Sequence, residues 1–442
     1  MYGCMDAVDR ARGWWKGEYS KNPVFTLFAT VMVLMLLVFI IAAVITGGKS
    51  VANMFWANRF ETFSDYFDSI VYSSDNPYTA GVIYPPLITV FYEIIGHFAI
   101  PFADPLFIDP TFLEFPFKEL SLALRNSQMG LMSYLVITIL TFYAVRRIVS
   151  KLSEGKNINA EALFLLLALS YPLLFAVERG NNVIIAVVFC FIFLMGYKSE
   201  NKIIRYASYA ALGVAAGIKI YPALFGLLIL RDRKYREMLE CVLVVAVIFF
   251  LPFLFTDGNP IMMIENILDY AVPESVAGFI NLTQLTFAIF QTVLPHGTVV
   301  LMSNIVVLTV TSLSVIIILF DRKMKPWKVI ALIAFNIILG PGVGTQYLFV
   351  YVAIPLVYFL ISEKEMTREN KFFLLCFIIV LMLVPGVEHP GEAYSQLAIS
   401  TIKSVFVIAM TVYLIIEGIR RLYRNFMEKR KEEGAVSDTD EI

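Results

Sequence analysis

Two carboxylates, Asp65 and Asp68, stand three residues apart in the stretch WANRFETFSDYFDSIVYSSDNPYTAGVIYPPL (56–87), with Glu61 one helical turn before them. A carboxylate held at the mouth of a cavity is suited to take a proton from a hydroxyl as a general base. Lys219 sits inside an otherwise apolar run, between Gly217 and Tyr221-Pro222. A charge among apolar residues is costly and normally faces a partner or a wet cavity. Glu178 and Arg179 end another apolar run, and an arginine fork can grip a phosphate or a carboxylate with two hydrogen bonds. Asn181 and Asn182 follow at once, suited either to hydrogen-bond hydroxyls or to cap the next helix. Gln346 and Tyr347 come just after the glycine-rich break GPGVGT (340–345). Each has a plainer reading: a solvated acid, a snorkelling lysine, a helix-end ion pair, a cap, a tight turn.

What must position these residues is set by composition. The 442-residue chain is 59% hydrophobic and 16% charged, where a soluble domain carries about a quarter charged residues. Its mean hydropathy is +0.74. Lipid must cover much of such a surface, and residues 24–46 carry no charge over a length that spans hydrocarbon. The expectation is an all-α polytopic membrane protein of about 12–13 membrane helices, some re-entrant or broken. They are placed near 24–46, 85–103, 128–147, 159–177, 181–197, 206–230, 238–255, 282–294, 299–320, 327–340, 346–362, 371–386 and 396–418. No soluble domain separates from them, so residues 1–442 read as one integral membrane domain, its first helix an uncleaved span.

Lys and Arg cluster in short runs between the apolar segments, at Arg10 to Lys16, Arg146 to Lys151, Lys198 to Arg205, Arg231 to Arg236, Arg322 to Lys328 and Arg420 to Lys431. Such runs mark cytoplasmic loops. That places 1–23 and the charged tail 419–442 in the cytoplasm, and 47–84, 178–182 and 256–281 outside it. Residues 203–230 and 327–362 carry basic runs at both ends, so each must enter and return, broken at 217–222 and 340–347. Irregular backbone at membrane depth is tolerated where protein or a wet cavity satisfies it, so both breaks are candidate site walls. If 85–103 and 128–147 both crossed, the basic run from 146 would fall outside. Either 85–103 is therefore re-entrant or 104–127 holds a further crossing; Glu93, His97 and Pro101, which interrupt the first run, favour the former. In the first loop Trp56, Phe60, Phe63, Phe67 and Ile70 recur at alternating steps of four and three. At about 100° per residue they form one stripe with Asp65 opposite. The helix is expected to lie in the headgroup boundary, its stripe toward lipid and its carboxylates over the protein.

These pieces together resemble the GT-C glycosyltransferases, and more narrowly glycosyltransferase family 87, the polyprenol-phosphate-mannose-dependent α-mannosyltransferase type. The resemblance rests on DYFDS (65–69), NPYT (76–79), YPPL (84–87), ERGNN (178–182), AAGIKIYP (215–222) and GPGVGTQYL (340–348), in the family's order. It implies a membrane hexosyltransferase moving a hexose, mannose first, from a polyprenyl-phosphate sugar to a lipid-linked or glycan acceptor with inversion. Asp65, with Asp68 as the alternative, would be the catalytic base. Lys219 and Arg179 would bind the donor phosphate, and Glu178, Asn181, Tyr221, Gln346 and Tyr347 would contact substrate. The spacing from Asp65 to Asn76-Pro77 is shorter than the family's commoner pattern, and Arg179-Gly180-Asn181 stands where Gly-Gln is usual. The implied setting is a prokaryotic plasma membrane, with the site on its extracytoplasmic side.

Other chemistries find little support. No basic run forms a folded surface for nucleic acid, and there is no nucleotide-binding glycine motif. His97, His296 and His389 are isolated, so neither metal nor cofactor is expected. Asn281-Leu-Thr283 fits a glycosylation sequon, a pattern of high chance frequency. The competing functions are a transporter or lipid flippase, which also uses broken helices with an intramembrane charge, and a non-catalytic membrane subunit.

Overall fold

The computed structural model describes residues 17–55, 61–73, 77–79, 81–102, 116–256, 258–270, 279–340, 346–386 and 393–437. All its regular elements there are helical. The first half holds α1 (Pro23–Ile45), α2 (Lys49–Phe55), α3 (Ser64–Ser73), α4 (Pro86–Ala99), α5 (Pro116–Asn126), α6 (Gln128–Ser153), α7 (Ala160–Ala168), α8 (Tyr171–Arg179), α9 (Val183–Gly196) and α10 (Lys202–Ile218). After a 3-10 stretch (Tyr221–Gly226) come α11 (Leu227–Arg231), α12 (Tyr235–Phe250), α13 (Pro260–Tyr270), α14 (Leu282–Phe290), α15 (His296–Phe320) and α16 (Pro326–Leu339). A second 3-10 stretch (Gln346–Val352) leads to α17 (Ala353–Ser362), α18 (Arg368–Leu381) and α19 (Ala393–Ser437).

Five helices among the described residues are each long and apolar enough to cross a membrane, and six if α7 and α8 count as one bent span. The rim and the centre differ by burial. In α1 only 17% of the apolar window is buried, so lipid is its solvent. In α16 every residue from Trp327 to Leu339 is buried, as expected of a helix apolar on all sides at the middle of a bundle. Asn22 caps α1 by accepting from the Phe25 amide at 3.0 Å, and Pro23 opens it where a missing N–H costs nothing.

Both expected breaks are present. α10 stops at Ile218, Lys219 is extended (φ −142°, ψ 133°), and Pro222 prevents the helix from resuming. The chain then returns through the 3-10 stretch, which packs against α10, and through α11, which packs against α12 and α15. α16 stops at Gly340, which is extended before Pro341, and the chain returns through Gln346–Val352 and α17. Residues 341–345 of that break lie outside the described ones.

Several expectations are corrected. The helix read as 159–177 is two, bent by 51°, because Pro172 gives no amide to the preceding turn. In 104–127, the alternative place for a further crossing, the described part holds an 11-residue helix, α5, too short to span hydrocarbon. The aromatic stripe does not face headgroups: Phe67 and Ile70 are fully buried and pack with Ile88, Tyr92, Leu124 and Tyr134 from α4, α5 and α6. Trp56 and Phe60 lie outside the described residues. The continuous helix through Phe63 is also broken, since Phe63 is left-handed (φ 59°) and α3 begins after it. Asn281 is 1% exposed and caps α14 by accepting from the Gln284 amide at 2.9 Å, so it is no open sequon.

Candidate active site

The site is built where three helix ends meet. α8 closes with Gly180 left-handed (φ 70°), its amide and that of Asn181 bonded back to Val177 and Ala176 at 3.0 and 2.8 Å. That Schellman-like turn leaves Arg179 and Asn181 projecting on either side of one glycine. A side chain at 180 would be strained by its φ, and its Cβ would lie 2.9 Å from Tyr66 Cβ and 3.0 Å from the Phe63 carbonyl. Glycine therefore sets how closely α3 approaches α8. The approach is fixed from the other side by the Phe63 amide, which donates to the Glu178 carbonyl at 2.6 Å. The Phe63 ring rests on Tyr134 at 4.8 Å. A left-handed non-glycine residue costs of order 1 kcal/mol, and these contacts hold it.

Asp65 lies in the first turn of α3, where the helix dipole favours a carboxylate. One oxygen accepts from Asn181 Nδ2 at 2.6 Å and the other faces Arg179 Nη2 at 3.3 Å. Arg179 also pairs with Glu61 through Nη1. Asn181 does double duty, since its Oδ1 accepts from the Val183 amide at 3.0 Å and so starts α9. The capping reading of that residue is the one the structure bears out, and its side-chain N–H is taken by Asp65. Asp68 points elsewhere: Ser121 on α5 donates to it at 2.5 Å.

Lys219 is 4% exposed. Its ammonium stands 4.1 Å from the centre of the Tyr84 ring and 5.3 Å from that of Tyr347. Among the described residues it makes no hydrogen bond or ion pair, while Asp65 is close enough to attract it. The two chain breaks thus meet, one supplying the cation and the other an aromatic face. Tyr221 and Tyr347 both lie within electrostatic reach of the Tyr84 hydroxyl. Burial pushes the Tyr84 phenol well above the usual tyrosine range, and Tyr347 and Asp65 add to it. Tyr84 is therefore a neutral hydroxyl and a π-face.

Of the residues singled out by sequence, Asp65, Arg179, Asn181, Lys219, Tyr221 and Tyr347 are thus brought together. Gln346 is buried beside them but makes no hydrogen bond to them among the described residues. Glu178 turns away from the group: its carboxylate accepts from Thr62 at 2.9 Å and lines a separate cleft of about 730 Å³ with Lys49 and Phe55. Tyr84, which the sequence offers only as part of the YPPL motif, lies in the site without having been singled out. So does Tyr92, which meets Asn182 at 3.3 Å. Both contacts join distant segments, so no local spacing marks them. Among the described residues no three His, Cys, Asp or Glu side chains are placed to hold a metal ion.

The arrangement offers an oriented carboxylate, a buried ammonium with no ion-pair partner among the described residues and a set of hydroxyls, the parts needed to activate one hydroxyl and receive one anion. Residues 82–336 match the family model of glycosyltransferase family 87. The match takes in Tyr84, Glu178 to Asn182, Lys219 and Tyr221, while Asp65, Gln346 and Tyr347 lie outside it. No curated protein and no solved structure matches the chain. With more than half of the chain covered and at least five apolar helices long enough to span a bilayer, this protein belongs to glycosyltransferase family 87 and is an integral membrane glycosyltransferase.

Proposed function

We propose that the protein moves a hexose, mannose first, from a polyprenyl-phosphate sugar to a hydroxyl acceptor on the extracytoplasmic side of a prokaryotic plasma membrane. The acceptor oxygen attacks the anomeric carbon from the face opposite the phosphate, and its proton passes to the Asp65 carboxylate. The bond from the anomeric carbon to the phosphate oxygen breaks, so the product is inverted and the polyprenyl phosphate leaves with one more negative charge. Lys219 offsets that charge in a dry site, where a fixed cation acts strongly. Arg179 already holds Glu61 and Asp65, so we assign it the orienting of the base, and the phosphate contact to Lys219.

The observation that carries this reading is the Lys219 ammonium, buried with, among the described residues, ring faces beside it, Asp65 nearby and no ion-pair partner. A buried cation without a counter-ion is costly unless an anion comes to it. The test is Asp65→Asn in purified protein supplied with polyprenyl-phosphate mannose. Transfer should fall by about 10²- to 10⁴-fold, the usual worth of a general base, with the melting temperature kept. Unimpaired transfer by that variant removes Asp65 from the chemistry.

A further inference from the structure

α13 (Pro260–Tyr270) is far in sequence from the turn that carries Tyr84, yet it holds that turn. Asn266 donates through Nδ2 to the carbonyls of Tyr78 and Val82, at 2.9 and 3.1 Å. Both partners are acceptors, so the position needs a side chain that donates. Tyr78 passes the grip on: it is 1% exposed, and its hydroxyl donates to the Tyr84 carbonyl at 3.1 Å. Its ring lies 5.8 Å from that of Phe253, and a Cβ at Gly258 would run into it. The turn itself closes through the Gly81 and Val82 amides, which donate to the carbonyls of Tyr78 and Pro77 at 3.3 and 3.1 Å. Just beyond it the Tyr84 ring covers the Lys219 ammonium.

The other side of α13 faces outward. At about 100° per residue Ile261, Ile264 and Leu268 form one stripe, with Met263 and Asn266 turned the opposite way. The three stripe residues are 52 to 63% exposed, while Met263 is buried. The stripe continues a membrane face. Val247, Phe250, Leu251, Leu254 and Phe255, just before it, are 49 to 78% exposed, at the end of a span of which only 11% is buried. At about 16 Å, α13 is too short to cross hydrocarbon itself. Glu265 and Asp269 are exposed along one edge of the stripe. That pattern suits a helix lying at the headgroup boundary with its apolar side in lipid.

We propose that α13 is a lipid-borne latch and that Asn266 is a positioning residue, which holds the Tyr78–Val82 turn so that the Tyr84 ring stays over Lys219. That the covered ammonium then serves the donor phosphate rests on the function proposed above. Asn266 acts through Tyr84, and the membrane acts through Asn266.

The test uses full-length protein in lipid nanodiscs, read by hydrogen exchange and by donor kinetics. Asn266→Asp keeps the size and loses the donor, so the Gly81 and Val82 amides should exchange about tenfold faster, within the worth of two hydrogen bonds. Asn266→Ala should do the same. Ile264→Glu combined with Leu268→Glu makes the stripe polar and should also speed that exchange; if this pair does not fold, Ile264→Gln with Leu268→Gln replaces it. With polyprenyl-phosphate mannose, Asn266→Ala should raise donor KM by about 3- to 10-fold, in the range of a cation–π contact, and leave kcat within about twofold. Added to Tyr84→Leu, it should raise KM by less than about twofold more, because the ring it positions is gone. Wild-type exchange in both Asn266 variants overturns the latch. Wild-type exchange in the polar-stripe variant overturns its lipid contact, and KM losses that multiply overturn the action through Tyr84. Exchange needs no sugar transfer, so a failed donor assay and a failed latch give separate results.

Discussion

At the end of the bundle where the basic loops lie, Lys328 is 2% exposed and meets Glu369 and both oxygens of Glu417, the latter at 2.8 and 2.9 Å. Arg421 bridges Glu417 and the fully buried Asp321, each at 2.7 Å. Arg231 donates to three backbone carbonyls between Asp321 and Met324 at 3.1 to 3.3 Å. About 20 Å away, beyond the length of α16, Lys219 is nearly as buried but meets, among the described residues, the faces of Tyr84 and Tyr347 and no ion-pair partner. A third buried lysine sharpens the contrast. Lys403, 1% exposed, donates to the carbonyls of Ile379, Val380 and Met382, all at 2.9 Å, and so caps the end of α18. Burial alone does not mark a working lysine; whether its charge is already answered does. Lys328 and Lys403 hold helices together, and we propose that Lys219 is left for a ligand.

The contrast can be broken first at Lys219. Lys219→Met should lower kcat/KM for a polyprenyl-phosphate donor by about 10²- to 10³-fold, the range for removing one electrostatic stabiliser. Its melting temperature should hold or rise, since no counter-ion is orphaned; a kinetic parameter set equal to wild type would erase the distinction. Lys328→Met should do the reverse. It removes the cation that Glu369 and Glu417 share and leaves Glu417 with Arg421 alone, costing about 3 kcal/mol of stability, while turnover per folded molecule stays near wild type. A chemical denaturation series in detergent reads the first quantity and active-site titration the second.

Finer changes test the aromatic bracket. Tyr84→Leu removes a ring from the ammonium and should cost about 3- to 30-fold in donor KM, the worth of a desolvated cation–π contact. Tyr84→Phe keeps the face and should restore most of it. A Phe variant as poor as Leu would show that the hydroxyl, not the ring, carries the effect. The smallest change is expected at Asp68→Asn, which exchanges a carboxylate bonded to Ser121 for an amide that can keep that bond. Transfer should stay within about threefold of wild type, since a net hydrogen bond is worth about 1 kcal/mol. A loss as deep as that of Asp65→Asn would move the base to Asp68.

Much of this geometry was legible in the sequence, for identifiable reasons. Lys219 and its break could be read because Gly217, Lys219 and Pro222 each interrupt an apolar helix in their own way. Arg179 and Asn181 could be read because a glycine between polar residues ends one helix and starts the next. The stripe of Phe63, Phe67 and Ile70 was assigned to lipid, and it faces protein. In a membrane both surroundings are apolar, so periodicity finds the face without saying what covers it. Tyr84 escaped because its partner lies in another break of the chain. Lys403 escaped because a lysine near an apolar helix end reads as an interfacial residue until the carbonyls of α18 come into view.

The central claim is that a lipid phosphate is the group Lys219 awaits. It is tested most directly by giving purified wild-type protein, in nanodiscs, either polyprenyl-phosphate [³H]mannose or a nucleoside-diphosphate [³H]mannose, with membrane lipid extract as acceptor. The account predicts label transfer from the polyprenyl-phosphate donor with release of polyprenyl phosphate, and none from the nucleotide sugar. Transfer from the nucleotide sugar alone would contradict it.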